Sequence, residues 1–197
     1  MLGRVVRPLM LLTVMLSMVA LTTGTAGADT FVVGPCEHHI HFKSASNGKF
    51  VSTEIKYTGG NYAMLRARSA TVGAWEKFTV CEVTWGPVGG YLSLESEANK
   101  KWVVPEVGYK GANWAMMRAR ATAVGHATLF TCIADPTRPS RFILSADASG
   151  ANADFATPEF RYHGASYGML RARSPYRGGP APQWTFFTAN APGNSCP

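Results

Sequence analysis

The 197-residue sequence predicts an all-β fold built from three pseudo-symmetric copies of one four-strand unit. Three observations carry that prediction. Segments 47–68, 99–120 and 152–173 read NGKFVSTEIKYTGGNYAMLRAR, NKKWVVPEVGYKGANWAMMRAR and NADFATPEFRYHGASYGMLRAR, and align without gaps. Within each copy the residues alternate with period two, as a half-buried strand requires: Leu65 and Ala67 share one face, and Met64, Arg66 and Arg68 the other. Between the strands lies Tyr57-Thr58-Gly59-Gly60-Asn61, a Gly/Asn turn of hairpin character folding about residues 59–60.

The elements follow in chain order. Arg4 and Arg7, the apolar run Leu9–Leu21 and the small residues Thr25-Ala26-Gly27-Ala28 have the layout of a secretory signal peptide spanning 1–28. The apolar run is shorter than the roughly 17–25 residues that cross a bilayer. The mature chain, 29–197, is expected to be secreted and extracellular, one domain, monomeric and without membrane insertion. Short apolar strands precede each repeated segment (His39–Phe42, Tyr91–Leu94, Phe142–Leu144), and others follow it (Trp75–Val80, Leu129–Ile133, Trp184–Phe187). The repeats thus span about 37–83, 90–135 and 140–190. No 3.6-residue apolar period follows the signal, so helix is minor.

One such unit cannot bury its own apolar face. Three units closed into a six-strand barrel, capped by three hairpins, remove most exposed sheet edges. That architecture is the β-trefoil.

The residues resemble the fascin-like, or actin-crosslinking-type, trefoil repeats. The resemblance rests on Asn47-Gly48-Lys49-Phe50-Val51-Ser52, Leu65-x-Ala67 and Trp75-Glu76-x-Phe78 in repeat one. Repeat two keeps Asn99, Trp102, Met117, Ala119 and Phe130; repeat three has Phe155, Leu170, Ala172 and Trp184-x-x-Phe187. It implies the fold over nearly the whole mature chain. Fascins carry several such domains and work in the cytoplasm, so actin bundling does not transfer. The repeated Gln-x-Trp of ricin-type trefoils is absent, since Gln183-Trp184 lacks the spacer and occurs once.

Function is expected from a triplicated stripe. Tyr62, Trp114 and Tyr167 sit at equivalent positions after Asn61, Asn113 and Ser166, and each precedes two arginines, of which Arg66, Arg118 and Arg171 are the first. Parity puts Tyr62, Met64, Arg66 and Arg68 on the face away from the core. An exposed ring beside Asn and Arg can stack on a sugar and bond its hydroxyls or acidic groups, and three copies give avidity. The expected partner is an extracellular glycan or anionic polymer. The alternative is a protein partner, met by a protease-inhibitor or fascin-like actin-binding effector through the non-repeated loops 84–90, 135–140 and 174–182. Without the signal peptide, 17 of the 19 basic residues face 12 acidic ones, a mild excess that favours anionic surfaces weakly. With no basic run of five or more, nucleic acid is not expected.

Other clusters read as structural. Glu54, Glu106 and Glu159 recur before the turn, and folding about residues 59–60 places Glu54 nearly opposite Leu65 and Arg66, as a cross-strand ion pair requires. His39 and His41 share a strand face by parity beside His38, but apart from Glu37 and Cys36, the latter expected in a disulfide, no acidic or Cys ligand stands at a spacing that completes a metal site. Nothing assembles an acid, base and nucleophile set, so no enzyme, cofactor or metal is expected. Cys36, Cys81, Cys132 and Cys196 suit two disulfides in an exported chain. Four cysteines allow three connectivities. If the barrel closes as a trefoil, first and fourth strands of a repeat are antiparallel neighbours. That order favours Cys36–Cys81 and leaves Cys132 with Cys196; Cys36–Cys196, joining the chain ends, is the alternative.

Overall fold

A computed structural model describes residues 30–146, 154–174, 186–191 and 196. The expected signal peptide and Trp184 lie outside the described residues.

Six staves form a barrel. The first is a bent strand written in two pieces, β1 (Phe31–Ile40) and β2 (Phe42–Ser44). The others are β5 (Phe78–Trp85), β6 (Val88–Ser96), β9 (Thr131–Ala134), β10 (Phe142–Ser145) and β13 (Phe187–Ala189). Neighbours pair antiparallel in the order β1–β5–β6 and β9–β10–β13–β2. A bridge between Leu92 and Phe130 joins β6 to β9 and completes the ring. First and fourth strands of each repeat are therefore neighbours.

Each repeat also contributes one hairpin: β3 (Phe50–Glu54) with β4 (Met64–Ser69), β7 (Lys101–Glu106) with β8 (Met116–Ala121), and β11 (Phe155–Glu159) with β12 (Met169–Ser174). The inner strands β4, β8 and β12 pair with one another around a closed triangle. Three backbone bonds repeat this closure. Ala67 N–H donates to the Gly168 carbonyl, Ala119 to Ala63 and Ala172 to Ala115, at 2.8, 2.9 and 2.9 Å.

Barrel and hairpins share one core. Leu65, Met117 and Leu170, Ala67, Ala119 and Ala172, and the barrel rings Phe42, Phe78, Phe130, Phe142 and Phe187 all belong to it. Repeated asparagines brace the hairpins: Asn47 Nδ2 donates to the Ala67 carbonyl and Asn99 Nδ2 to that of Ala119, each at 2.9 Å. The recurring Asn is thus structural, because it satisfies a buried carbonyl that the strand ladder leaves open.

The disulfides are Cys36–Cys81 and Cys132–Cys196, the pairing that the strand order favours. Cys36 lies directly opposite Cys81 in the β1–β5 ladder. Two expectations need correction. Trp75 lies in a 3₁₀ turn, Ala74–Glu76, ahead of β5 rather than inside a strand, and His126–Thr128 forms the matching turn in repeat two. The parity that put His39 and His41 on one face also fails, because β1 bulges between Glu37 and Ile40 and His39 has φ 60°. An extra residue in a ladder breaks the two-residue period. His39 instead donates its backbone N–H to the Glu97 carboxylate at 2.7 Å, with its ring Nδ1 2.8 Å from the other carboxylate oxygen.

Candidate functional site

The hairpin connections position the aromatic stripe. After Glu54, which faces Met64 across the ladder, residues 55–63 cross between strands through a 3₁₀ turn, Gly59–Asn61, rather than a two-residue hairpin turn. Gly59 and Ala63 both have left-handed φ, 59° and 58°, which explains the recurrent Gly at the turn's start. Tyr62 N–H closes the turn on the Gly59 carbonyl at 3.2 Å, and Ala63 N–H reaches Glu54 at 3.0 Å. Gly111–Asn113 with Trp114, and Gly164–Ser166 with Tyr167, repeat the arrangement. The three aromatics differ in exposure. Tyr62 is 39% and Tyr167 42% exposed, while Trp114, Asn61 and Asn113 are half-buried.

The arginines behave otherwise, and here the parity reading is corrected. Arg66, Arg118 and Arg171 do lie on the face away from the barrel core, but that face is itself buried where the three hairpins meet. Met64, Met116 and Met169 form a small second core there. Burying a guanidinium is costly unless its donors are bonded, and the neighbouring turn supplies the acceptors. Arg66 donates from Nε to the Tyr167 carbonyl at 2.9 Å, from Nη2 to Gly164 at 3.1 Å and from Nη1 to the Tyr57 hydroxyl at 3.0 Å. Arg118 does the same to Tyr62, Gly59 and Tyr109, at 2.9, 3.2 and 3.1 Å. The arginine of one repeat thus grips the backbone of the aromatic residue in the next turn, and is a positioning residue.

The third junction departs from this pattern. Arg171 reaches neither the Trp114 nor the Gly111 carbonyl. Its Nη1 bonds the Tyr162 hydroxyl at 3.3 Å and lies 3.7 Å from Glu159, its Nε lies 3.4 Å from the Met169 sulfur, and among the described residues its Nη2 has no partner although the side chain is fully buried. The structure therefore brings Arg66 to Tyr167 and Arg118 to Tyr62, and leaves Trp114 unclamped.

The expected glutamate ion pairs exist, with a shifted partner. Glu54 takes a two-pronged pair of bonds from Arg68, the outer arginine, with Arg66 3.7 Å away. Arg173 pairs with Glu159 in the same way at 2.6 and 2.8 Å, and Arg120 bonds Glu106 at 3.1 Å. A tyrosine that the stripe reading left out sits at the centre of each cluster. Tyr109 accepts from Arg120 and Arg118, and those bonds hold its phenol below the usual range. At Tyr162, burial pushes upward, but hydrogen bonds from Arg173 and Arg161 and the Arg171 charge win, and the phenol is again lowered. The Glu54, Tyr109, Glu159 and Tyr162 contacts, shared by outer and inner arginines, raise the guanidinium values of Arg68, Arg120 and Arg173. The signal for these tyrosines was present: Tyr57, Tyr109 and Tyr162 recur at one repeat position. Among the described residues, no three His, Cys, Asp or Glu side chains are placed to hold a metal ion, and no helix is long and apolar enough to cross a membrane.

Solved structures share this chain path. The designed 3-fold symmetric protein ThreeFoil superposes with a TM-score of 0.55 at 18% identity, covering 77% of this chain and 96% of that one. The fold is a β-trefoil. BEL beta-trefoil matches at TM-score 0.55 and 12% identity, over 79% of this chain and 94% of its own. SeviL, solved bound to asialo-GM1 saccharide, matches at TM-score 0.50 and 13% identity, over 78% and 97%. No family model and no curated protein sequence matches the chain. The likeness to these trefoils is one of backbone architecture.

Proposed function

We propose that this chain is a secreted, non-catalytic trefoil that binds carbohydrate or an anionic extracellular polymer through the turn-tip rings of Tyr62, Trp114 and Tyr167, with Asn61 and Asn113 beside them. One observation carries the reading: the same turn position holds an aromatic in all three repeats, and in two of them, Tyr62 and Tyr167, the ring is exposed and the main chain beneath it is pinned. Two of those rings are well exposed, and Arg66 and Arg118 hold the Tyr167 and Tyr62 carbonyls in place. Pre-ordering a ring lowers the entropy lost on binding. Arg66 and Arg118 act from below by setting turn geometry, Arg171 is buried without clamping a turn, and none of the three guanidiniums meets the ligand. The two disulfides suit an oxidising, extracellular setting. SeviL, which shares this chain path, was solved with a saccharide bound, and that supports a saccharide ligand here.

A glycan array with the wild-type chain and the Tyr62→Ala/Trp114→Ala/Tyr167→Ala triple variant tests the reading. Wild type should bind at least one saccharide class, and the triple variant should lose it. Each single variant should lose part, because linked sites multiply apparent affinity by about 10²–10⁴. A silent wild type, or a triple variant that binds as well as wild type, overturns it. Actin co-sedimentation in the same preparation tests the protein-binding role that a fascin-like chain would have.

A further inference from the structure

The barrel wall carries a second three-fold pattern, made of rows that run across three strands. In repeat one, Thr188, Lys43 and Phe50 lie side by side on β13, β2 and β3. In repeat two the row is Thr79, Glu95 and Trp102 on β5, β6 and β7. In repeat three it is Thr131, Ser145 and Phe155 on β9, β10 and β11. Directly paired residues point to the same side of a sheet. Every row is therefore a hydroxyl, a variable residue and an aromatic ring. The variable residue is a cation, an anion and a neutral side chain in turn.

The rows differ in openness. In repeat three, Ser145 and Phe155 are buried. In repeat two, the Thr79 hydroxyl is bonded to His38 at 3.0 Å and to Glu97 at 3.4 Å. In repeat one, the row lines an open pocket of about 220 Å³ with His41 and Asn190. Phe50 is half-buried and Lys43 exposed. His41 meets the Phe50 ring edge-on at 5.3 Å, and Lys43 Nζ sits 5.4 Å over it. Asn190 ties the pocket rim by accepting from the His41 backbone N–H at 2.8 Å and donating to the His39 carbonyl at 3.2 Å. Among the described residues, neither the Lys43 ammonium nor the Thr188 hydroxyl bonds a protein group.

We infer that the Thr188–Lys43–Phe50 row is a single-copy subsite for a pyranose bearing an anionic group. The Phe50 face packs on the sugar's C–H face, the Lys43 ammonium takes the carboxylate or sulfate as a charge-assisted bond, and Thr188 meets a ring hydroxyl. The pocket is smaller than the roughly 300–1,000 Å³ of drug-sized sites, which suits one ring. Glu95 in the matching row of repeat two would repel such a ligand, so one site per chain follows. The inference rests on the saccharide reading for its ligand class only, and its location is independent of the turn tips.

The test is titration by backbone-amide NMR with methyl β-glucuronide, glucose 6-sulfate and methyl β-glucoside. At least one anionic sugar should shift the amides of residues 41–43, 50 and 188, with one site per chain and a Kd at least tenfold below that of the neutral glucoside. Lys43→Glu should weaken that binding tenfold or more and Lys43→Gln several-fold; both replace an exposed side chain, so the spectrum should otherwise be unchanged. The Tyr62/Trp114/Tyr167 triple alanine variant should bind the anionic sugar within twofold of wild type. Equal affinity for the neutral glucoside, no shift at these residues with either anionic sugar, or an unaltered Kd in Lys43→Glu overturns the subsite. Loss of anionic-sugar binding in the triple variant, with Lys43→Glu unaffected, overturns it too and leaves the turn tips as the site.

Discussion

Removing the buried guanidinium from two equivalent positions should have unequal consequences. Arg118 makes three bonds at 2.9–3.2 Å, two of them to main-chain carbonyls of the neighbouring turn. Bonds from a charged donor contribute roughly 1.5–3 kcal/mol each, though three on one group do not add fully. Arg118→Met keeps the length and apolar stem but strands the Tyr62 and Gly59 carbonyls against the methionine cluster. A cost of about 3–5 kcal/mol is expected. Arg171→Met removes two long hydrogen bonds, of 3.3 Å to a phenol and 3.4 Å to a thioether, with a 3.7 Å approach to Glu159 and a contact of the guanidinium over the Tyr162 ring at 4.6 Å, together contributing about 1–3 kcal/mol. It also removes a buried, unpartnered Nη2, whose desolvation costs about 1–3 kcal/mol. These nearly cancel, and Glu159 keeps Arg173. Arg171→Met should therefore lie within about 1 kcal/mol of wild type.

Urea unfolding with the disulfides intact, followed by circular dichroism and tryptophan fluorescence, reads the difference from the midpoints at constant m. Arg66→Met should track Arg118→Met, since Arg66 makes the same three bonds. Should Arg171→Met cost as much as Arg118→Met, the asymmetric junction and the clamp argument built on it are wrong.

Three further outcomes follow from local geometry. Gly168→Ala should destabilise by at least about 1–2 kcal/mol, the cost of left-handed backbone for an L-residue, because Gly168 has φ 71° and a Cβ there would come 2.8 Å from the Ala67 carbonyl oxygen; an unchanged melting midpoint would contradict it. Cys36→Ser/Cys81→Ser should lower stability by up to about 4 kcal/mol, from a loop of 45 residues, with β1 amides exchanging first in hydrogen exchange. Burial raises the Glu97 carboxyl, but the backbone and ring bonds from His39 outweigh it and hold it below its ordinary value. A lowered carboxylate stabilises the fold above its unfolded value near 4.5, and that contribution is lost as pH falls through the lower folded value. Amides of residues 37–40 should therefore lose protection as pH is brought below about 4.5, and Glu97→Gln should remove this dependence; protection that persists in acid argues against the latch.

Much of the fold was legible because the sequence repeats itself. Leu65 and Ala67 announced the core face, and three copies too small to fold alone left barrel closure as the economical burial. The site was legible only at Tyr62, Trp114 and Tyr167, and the reason is physical. Period-two alternation marks two faces of a strand but does not say whether the second meets water or another strand. Around the three-fold axis it meets two other hairpins, so Met64 and Arg66 read as an outward face while lying inside. Arginine disguised the burial, since a guanidinium bonded to neighbouring carbonyls can occupy an interior that a hydropathy pattern assigns to solvent. Register was a second blind spot: placing Glu54 one residue late, opposite Leu65 rather than Met64, hid its two-pronged pairing with Arg68. The barrel rows were the least visible of all, because Thr188, Lys43 and Phe50 are far apart in the chain and become neighbours only when the last strand closes on the first. Symmetry in the sequence thus exposes what the repeats share. The differences that would make one repeat a binding site, such as Lys43 where its counterparts are Glu95 and Ser145, acquire meaning only once the ring is closed.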